Sequence, residues 1–281
     1  MSLRQLEMNR CFDGTQTVYT HWSETTRSAM NFALYLPPQA EQHSVPVLFW
    51  LSGLTCTEQN FITKAGAQRM ASLLGLALVT PDTSPRGLNL KSQIEREYFG
   101  EGAGFYLDAT ELPWSKHYQM YSYVSKELPQ LIGSHFPIDM ARCGIFGHSM
   151  GGHGALTIGL RNPDLFRSLS AFAPICSPTQ SPWGINALQG YLGDNKKAWQ
   201  QYDACELLKT HAWPHGELLI DQGAADPFLK EELKPELLVA ACRKANIPLN
   251  LRTHAHYGHN YYFIATFIED HLQFHAKQLH V

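Results

Sequence analysis

The sequence predicts an α/β fold, a mostly parallel sheet with helices on both faces, built as one domain over residues 1–281. Three observations carry this expectation. Short apolar runs alternate with longer amphipathic ones, the pattern of strands joined by crossover helices. Hydrophobic residues make up 44% of the 281 positions and charged residues 17%, enough to bury a sizeable core. No linker or low-complexity tract divides the chain, and its 16 Pro and 21 Gly are scattered as punctuation.

The elements follow in order. Ala29–Leu36 and Val45–Leu51 read as strands, stopped by Pro37-Pro38 and Ser52-Gly53. These leading strands can supply an antiparallel edge. Gln59–Leu74 reads as a helix and Leu76–Thr80 as a strand ended by Pro81. Residues 81–112 are broken by Pro85-Arg86-Gly87 and Gly100-Glu101-Gly102-Ala103-Gly104, and a loop of that length is expected to be functional. Gln119–Phe136 reads as a helix with a kink expected at Pro129. Arg142–Phe146 is a strand and Gly151–Arg161 a helix. Ser168–Ala173 and Glu217–Asp221 are strands. Lys230–Ala245 is an amphipathic helix ended by Asn246-Ile247-Pro248. Leu249–Thr253 is the last strand and Tyr261–Lys277 the last helix.

Composition removes several function classes. The formal net charge is −3, so no basic excess is present to neutralise a nucleic-acid backbone. The first ten residues hold no apolar run of the kind found in a signal peptide. The longest apolar stretch, Val45–Leu51, is far too short to cross a bilayer. The six cysteines, at 11, 56, 143, 176, 205 and 242, form no C-x-x-C pair. They read as free thiols of a cytoplasmic protein.

Gly147-His148-Ser149-Met150-Gly151 fits G-x-S-x-G between an expected strand and an expected helix. A serine on so sharp a turn sits in a strained backbone, and side chains two residues to either side would collide. The turn lifts the hydroxyl over the N-terminus of the next helix, where free N–H groups face a developing oxyanion. Gly152 and Gly154 are expected to let that helix pack close to the sheet. Ser149 is therefore the candidate nucleophile of an α/β-hydrolase fold, in which the chain order is Ser, then Asp or Glu, then His.

The base must lie beyond residue 149, which leaves His153, His211, His215, His254, His256, His259, His271, His275 and His280. His153 is one turn into the helix, and His271, His275 and His280 lie within or after the last helix. His254 ends a strand. His259 falls in the loop that opens at the carboxyl end of the sheet, where such folds bind ligands, and is the candidate base. The acid should follow the preceding strand. Asp226, in Gly223-Ala224-Ala225-Asp226-Pro227, is favoured by position over Asp221, which falls near the end of the apolar run; helix N-capping is the structural alternative for Asp226. Asp203 and Glu206 fall in a helical, polar stretch expected at the surface. His254-Ala255-His256-Tyr257-Gly258-His259 imitates the H-x-H-x-D-H cluster of dinuclear metallohydrolases. Gly258 stands where the carboxylate ligand belongs, so no metal is expected.

The second oxyanion donor should come from the loop after an early strand, which points to the backbone N–H groups of Leu54 and Met150. The runs LSGLTCTEQNF, GHSMGGHGAL, QGAADPFL and NYYFIATFIEDH, in this order, resemble the S-formylglutathione hydrolase (esterase D) family from about residue 10 to 277. The resemblance implies an α/β-hydrolase that splits S-formylglutathione into formate and glutathione, a late step of formaldehyde detoxification, without metal or organic cofactor. It places the nucleophile on Ser149, the acid on Asp226, the base on His259 and the oxyanion donors on Leu54 and Met150. It also implies that Cys56 lies near the serine, and that the protein is a homodimer. Where the family usually carries G-Y-D-H-S, this chain has Gly258 for the Asp and Asn260 for the Ser. Trp183 is read both as a wall of the acyl pocket and as core packing. Lys64, Arg86 and Lys116 are candidates for the glutathione carboxylates. A general short-chain carboxylesterase would use the same machinery and is the alternative reading.

Overall fold

The computed structural model describes residues 3–90 and 96–280, so residues 91–95 of the expected loop lie outside the described residues. One nine-stranded sheet organises the chain. Its strands are β1 (Arg4–Cys11), β2 (Gly14–Ser23), β3 (Ser28–Leu36), β4 (Val45–Leu51), β5 (Ala77–Pro81), β6 (Ile138–His148), β7 (Ser168–Phe172), β8 (Leu218–Gly223) and β9 (Leu249–His254). They lie in the order β1-β2-β3-β5-β4-β6-β7-β8-β9. The pairs from β1 through β3 to β5 are antiparallel. Every pair from β5 to β9 is parallel. All residues of β4, β5 and β7 are buried, which explains the unbroken apolar run of β4. The buried serines of β7 are instead satisfied by hydrogen bonds, Ser168 with His275 and Ser170 with His271 and His275.

The helices are α1 (Glu58–Lys64), α2 (Gln68–Leu74), α3 (Met120–Ser122), α4 (Leu128–His135), α5 (Met150–Arg161), α6 (Pro182–Leu192), α7 (Lys196–Gln200), α8 (Ala204–Leu207), α9 (Pro235–Ala245) and α10 (Tyr261–Gln278). They cover both faces. A Cβ built on Gly144 of β6 would meet His275 of α10, whereas its neighbour Ile145 packs at Gly159 of α5. Adjacent strand residues point to opposite faces, so α10 and α5 lie on opposite sides of the sheet.

Several expectations change. The antiparallel edge is the hairpin β1–β2 with β3, while β4 is a central parallel strand. Phe12 and Asp13 form the two-residue turn of that hairpin, both at positive φ (47° and 58°), a turn whose twist suits paired strands. The helix expected over Gln59–Leu74 is broken between α1 and α2 around Gly66, at φ 68°. The helix expected around Pro129 runs from Met120 to His135 through a π-turn at Tyr123–Glu127. Pro129 has no N–H for the preceding turn, and the wider π register takes up the mismatch. Asp203 is fully buried rather than at the surface. It caps α8 and accepts hydrogen bonds from Ser177 and Thr179 at 2.7 and 2.6 Å.

Candidate active site

Ser149 sits between β6 and α5 with φ 58° and ψ −120°, a conformation a side-chain-bearing residue adopts only under constraint. The constraint is visible on both sides. Ser149 N–H donates to the Phe172 carbonyl of β7 at 3.0 Å. A Cβ on Gly147 would strike Gly151, and one on Gly151 would strike the Leu51 carbonyl. The elbow therefore lies flush against the end of β4. Of the two further glycines, Gly152 packs on Ala171 and Pro174 at the sheet, as expected. Gly154 instead makes room for the Tyr106 ring.

Asp226 and His259 meet across the loops that follow β8 and β9. His259 Nδ1–H donates to Asp226 Oδ2 at 2.6 Å. Asp226 also accepts from the Phe228 backbone N–H at 2.8 Å and from Gln222 Nε2 at 3.3 Å. The Phe228 contact is a local turn bond rather than a helix cap, since the helical turn that follows has Phe228 at its N-cap position and no side-chain cap bond, so the capping alternative is not realised. Asp221 is inside β8 and turned elsewhere: Arg252 donates to both its oxygens at 2.6 Å. Burial alone would raise the Asp221 carboxyl, but hydrogen bonds from His271 and Arg252 overcome that and hold it below the usual carboxylate range.

Ser149 and His259 line one cavity of about 320 Å³ together with Leu54, Cys56 and Trp183. Among the described residues no hydrogen bond joins Ser149 Oγ to His259; such contacts are commonly long in an unliganded site. Leu54 N–H has no acceptor among the described residues. Met150 opens α5, where a helix leaves its first N–H groups unpaired. Two donors therefore flank the serine. Burial pushes the Cys56 thiol up, and a contact with the Tyr261 hydroxyl and then the nearby Lys64 charge pull it part of the way back. Trp183 packs between Tyr98 and Phe228, with ring centroids at 5.4 and 4.7 Å, so it is both cavity wall and packing.

Of the three candidate cations only Lys64 lines the cavity. Arg86 is held by Asp82 at 2.8 and 3.0 Å and by the Cys56 carbonyl at 2.9 Å. Lys116 is exposed on a short helical turn that does not line the cavity. The other histidines of the 254–259 run do not converge with His259. His254 stacks on Phe267 at 3.7 Å and reaches Asp221 at 3.3 Å, and His256 is exposed.

Sequence reasoning missed His148 and Phe228. The His259 ring has His148 at 4.3 Å and Phe228 edge-on at 5.1 Å. Burial drives the His148 imidazole well below its usual range and keeps it neutral. The signal for His148 was present, since the residue before an elbow serine ends the strand beside the site. Phe228 gives none, because an aromatic two residues after an Asp is ordinary.

The Esterase family model matches residues 23–274. The S-formylglutathione hydrolase of Rattus norvegicus is 54% identical over 280 residues, covering 99% of each chain. That of Arabidopsis thaliana is 53% identical over 279 residues, covering 99% of this chain and 98% of the relative. A solved structure of an S-formylglutathione hydrolase from Agrobacterium tumefaciens superposes with a TM-score of 0.95 at 54% identity, over 98% of this chain and 99% of that one. The chain belongs to the S-formylglutathione hydrolase family. As a member of the S-formylglutathione hydrolase family it departs from the usual pattern at Gly258 and Asn260, and the structure accounts for one of them. Asn260 Oδ1 accepts from the Phe263 N–H at 3.2 Å and so caps α10, a task Ser performs equally well. Gly258 is not at positive φ, and a Cβ there would make only ordinary contacts, with Asn260 Nδ2 at 3.6 Å and the Ala225 carbonyl at 3.9 Å, so nothing in the structure requires glycine.

Proposed function

We propose that the chain hydrolyses the thioester S-formylglutathione to formate and glutathione, with Ser149 as nucleophile, His259 as base and Asp226 as its orienting acid. One observation carries the reading: in a chain so similar to S-formylglutathione hydrolases, Ser149 and His259 share a cavity and His259 is bound to Asp226 at 2.6 Å. Asp226 fixes the tautomer that leaves His259 Nε2 free to take the Ser149 proton. The serine oxygen attacks the formyl carbon, and the N–H groups of Leu54 and Met150 receive the oxyanion. Losing one such donor costs about 2.7–4 kcal/mol. The intermediate collapses by breaking the C–S bond, and the imidazolium returns its proton to the departing sulfur. A thiol has a pKa near 8.5, so it leaves more readily than an alkoxide. Water then attacks the formyl-serine, again with His259 as base, and releases formate. Cys56 and Trp183 border the acyl group, and short acyl esters of small alcohols fit the same steps as side substrates.

The reading calls on no metal or organic cofactor, and it treats the chain as one functional domain because a single sheet carries every site residue. It includes a homodimer, supported by the exposed edge strand β1 with Leu6 and Met8 at its surface. It also includes a cytoplasmic setting, supported by six unpaired cysteines, four of them buried. Among the described residues no helix is long and apolar enough to cross a membrane. The test is turnover of S-formylglutathione against p-nitrophenyl acetate. Preference for the thioester supports the assignment. Rapid aryl acetate hydrolysis with no thioester turnover replaces it with a general carboxylesterase.

A further inference from the structure

The cavity at Ser149 has two unlike halves. One is aromatic, with Tyr98, Trp183 and Phe228. The other is formed by α1 and the start of α10, and it is rich in donors. Asn60 and Lys64 are four residues apart on α1 and so share a face of the helix. Asn260 lies opposite, beside Tyr261, whose ring is 5.7 Å from Lys64 Nζ. Both asparagines have their oxygens committed to backbone. Asn60 Oδ1 accepts from Thr57 N–H at 2.9 Å, and Asn260 Oδ1 accepts from Phe263 N–H. That fixes their side chains and leaves each Nδ2 to donate.

Charge points the same way. No Asp or Glu lines the cavity, and Lys64 is its only permanently charged side chain among the described residues. Lys64 forms no ion pair with any described residue. Its charge nonetheless acts on the Cys56 thiol, so it is felt inside the cavity. A lone ammonium flanked by two amide donors, at the edge of a cavity free of anions, matches a carboxylate.

We propose that Lys64, with Asn60 and Asn260, forms the subsite that holds a carboxylate of the glutathione moiety while the formyl carbon rests at Ser149. The proposal rests on the hydrolase reading above and assigns to it the residue that separates a glutathione thioester from a neutral ester. Glutathione carries two carboxylates, glycyl and γ-glutamyl, and a simple aryl acetate carries none.

The test compares wild type, Lys64→Met and Lys64→Arg on S-formylglutathione and on p-nitrophenyl acetate. Met keeps the length and apolar stem of the side chain and loses the charge. The ratio of the two kcat/KM values should fall about tenfold in Lys64→Met, through KM for the thioester, and recover most of the way in Lys64→Arg. Loss of folded enzyme scales both rates, so the ratio is blind to it. Raising the salt concentration should raise the thioester KM of wild type more than that of Lys64→Met. The S-formyl derivative of glutathione glycyl ethyl ester separates the two sources. A penalty that disappears with it assigns the glycyl carboxylate, and one that persists assigns the γ-glutamyl carboxylate. An unmoved ratio, or a loss in kcat with KM unchanged, overturns the subsite. Absence of thioester turnover in wild type instead overturns the function reading, and the subsite falls with it.

Discussion

Asp221 accepts from both Nε and Nη2 of Arg252, at 2.6 Å each, on a side of β8 away from the His259 imidazole. The two aspartates that the sequence offered as the acid are therefore separated by what each already holds. Asp226→Asn should lower kcat by roughly 10³–10⁴, since the amide no longer enforces the working tautomer. Asp221→Asn should retain turnover but lose roughly 3 kcal/mol of stability, because it leaves a partly buried guanidinium with one partner fewer. Steady-state kinetics and thermal melts on both variants check this. A folded but inactive Asp221→Asn beside an active Asp226→Asn would reverse the assignment.

Ser149→Ala and His259→Ala should each remove nearly all turnover while the melting temperature stays close to that of wild type. A fluorophosphonate probe should label wild type and leave Ser149→Ala unlabelled. Labelling of the alanine variant would place the nucleophile elsewhere.

Cys56 is two residues after Leu54 on the same cavity wall. Thiol reagents should inhibit by adding bulk there, and Cys56→Ser should keep substantial activity and resist them. Burial raises this thiol, so inhibition should accelerate steeply as pH rises through the alkaline range where the thiolate forms. A Cys56→Ser enzyme as sensitive as wild type would shift the effect to another cysteine. An inactive but folded one would give the thiol a part in the chemistry.

EDTA should leave activity intact, because every step of the serine mechanism is assigned to protein groups and water. Stoichiometric zinc whose removal abolishes turnover would displace that mechanism.

Stability should fall as pH drops below about 6.5. His21, His148, His153, His271 and His275 are buried, and burial lowers each of them, His153 to about 4. The unfolded chain binds protons at these sites near pH 6.5, while the folded chain does not until the lower folded values are reached. Each site therefore contributes stability that is present above about 6.5 and declines by up to about 1.4 kcal/mol per pH unit down to its folded value. Urea unfolding at pH 7.5 and 5.5 measures the difference, and equal free energies at the two values would contradict it.

What the sequence disclosed follows from how each feature is encoded. The elbow was legible because its glycines are demanded by backbone contacts only two residues away. The parallel core was legible because its doubly covered strands are short and mainly apolar, β4 entirely so. β1 was not, since every residue from Arg4 to Arg10 is exposed and an exposed strand leaves no apolar rhythm. β2 had a signal in its Thr, Val and Tyr density and in the Asp13-Gly14 pair that begins it, a hairpin cue. Asp203 misled because its partners, Ser177 and Thr179, are remote in sequence, and only the fold brings them to it. Helices α6 and α7 were missed because each is started by a single polar cap rather than announced by a long periodic face, whereas the α8 region was read as helical around Asp203 and Glu206.

The site is also ordered in time. A chain growing from its N-terminus contains the serine after residue 149, but its histidine is added 110 positions later, beyond β9, the last strand to join the sheet. Until that edge docks, the hydroxyl has no group to accept its proton, and an alcohol unaided is a poor nucleophile at neutral pH. Synthesis therefore carries the serine in an inert form over the 110 positions that separate it from its histidine. Competence for hydrolysis arrives with the closing segment, so a product terminated between residues 149 and 259 holds the serine and still does no chemistry.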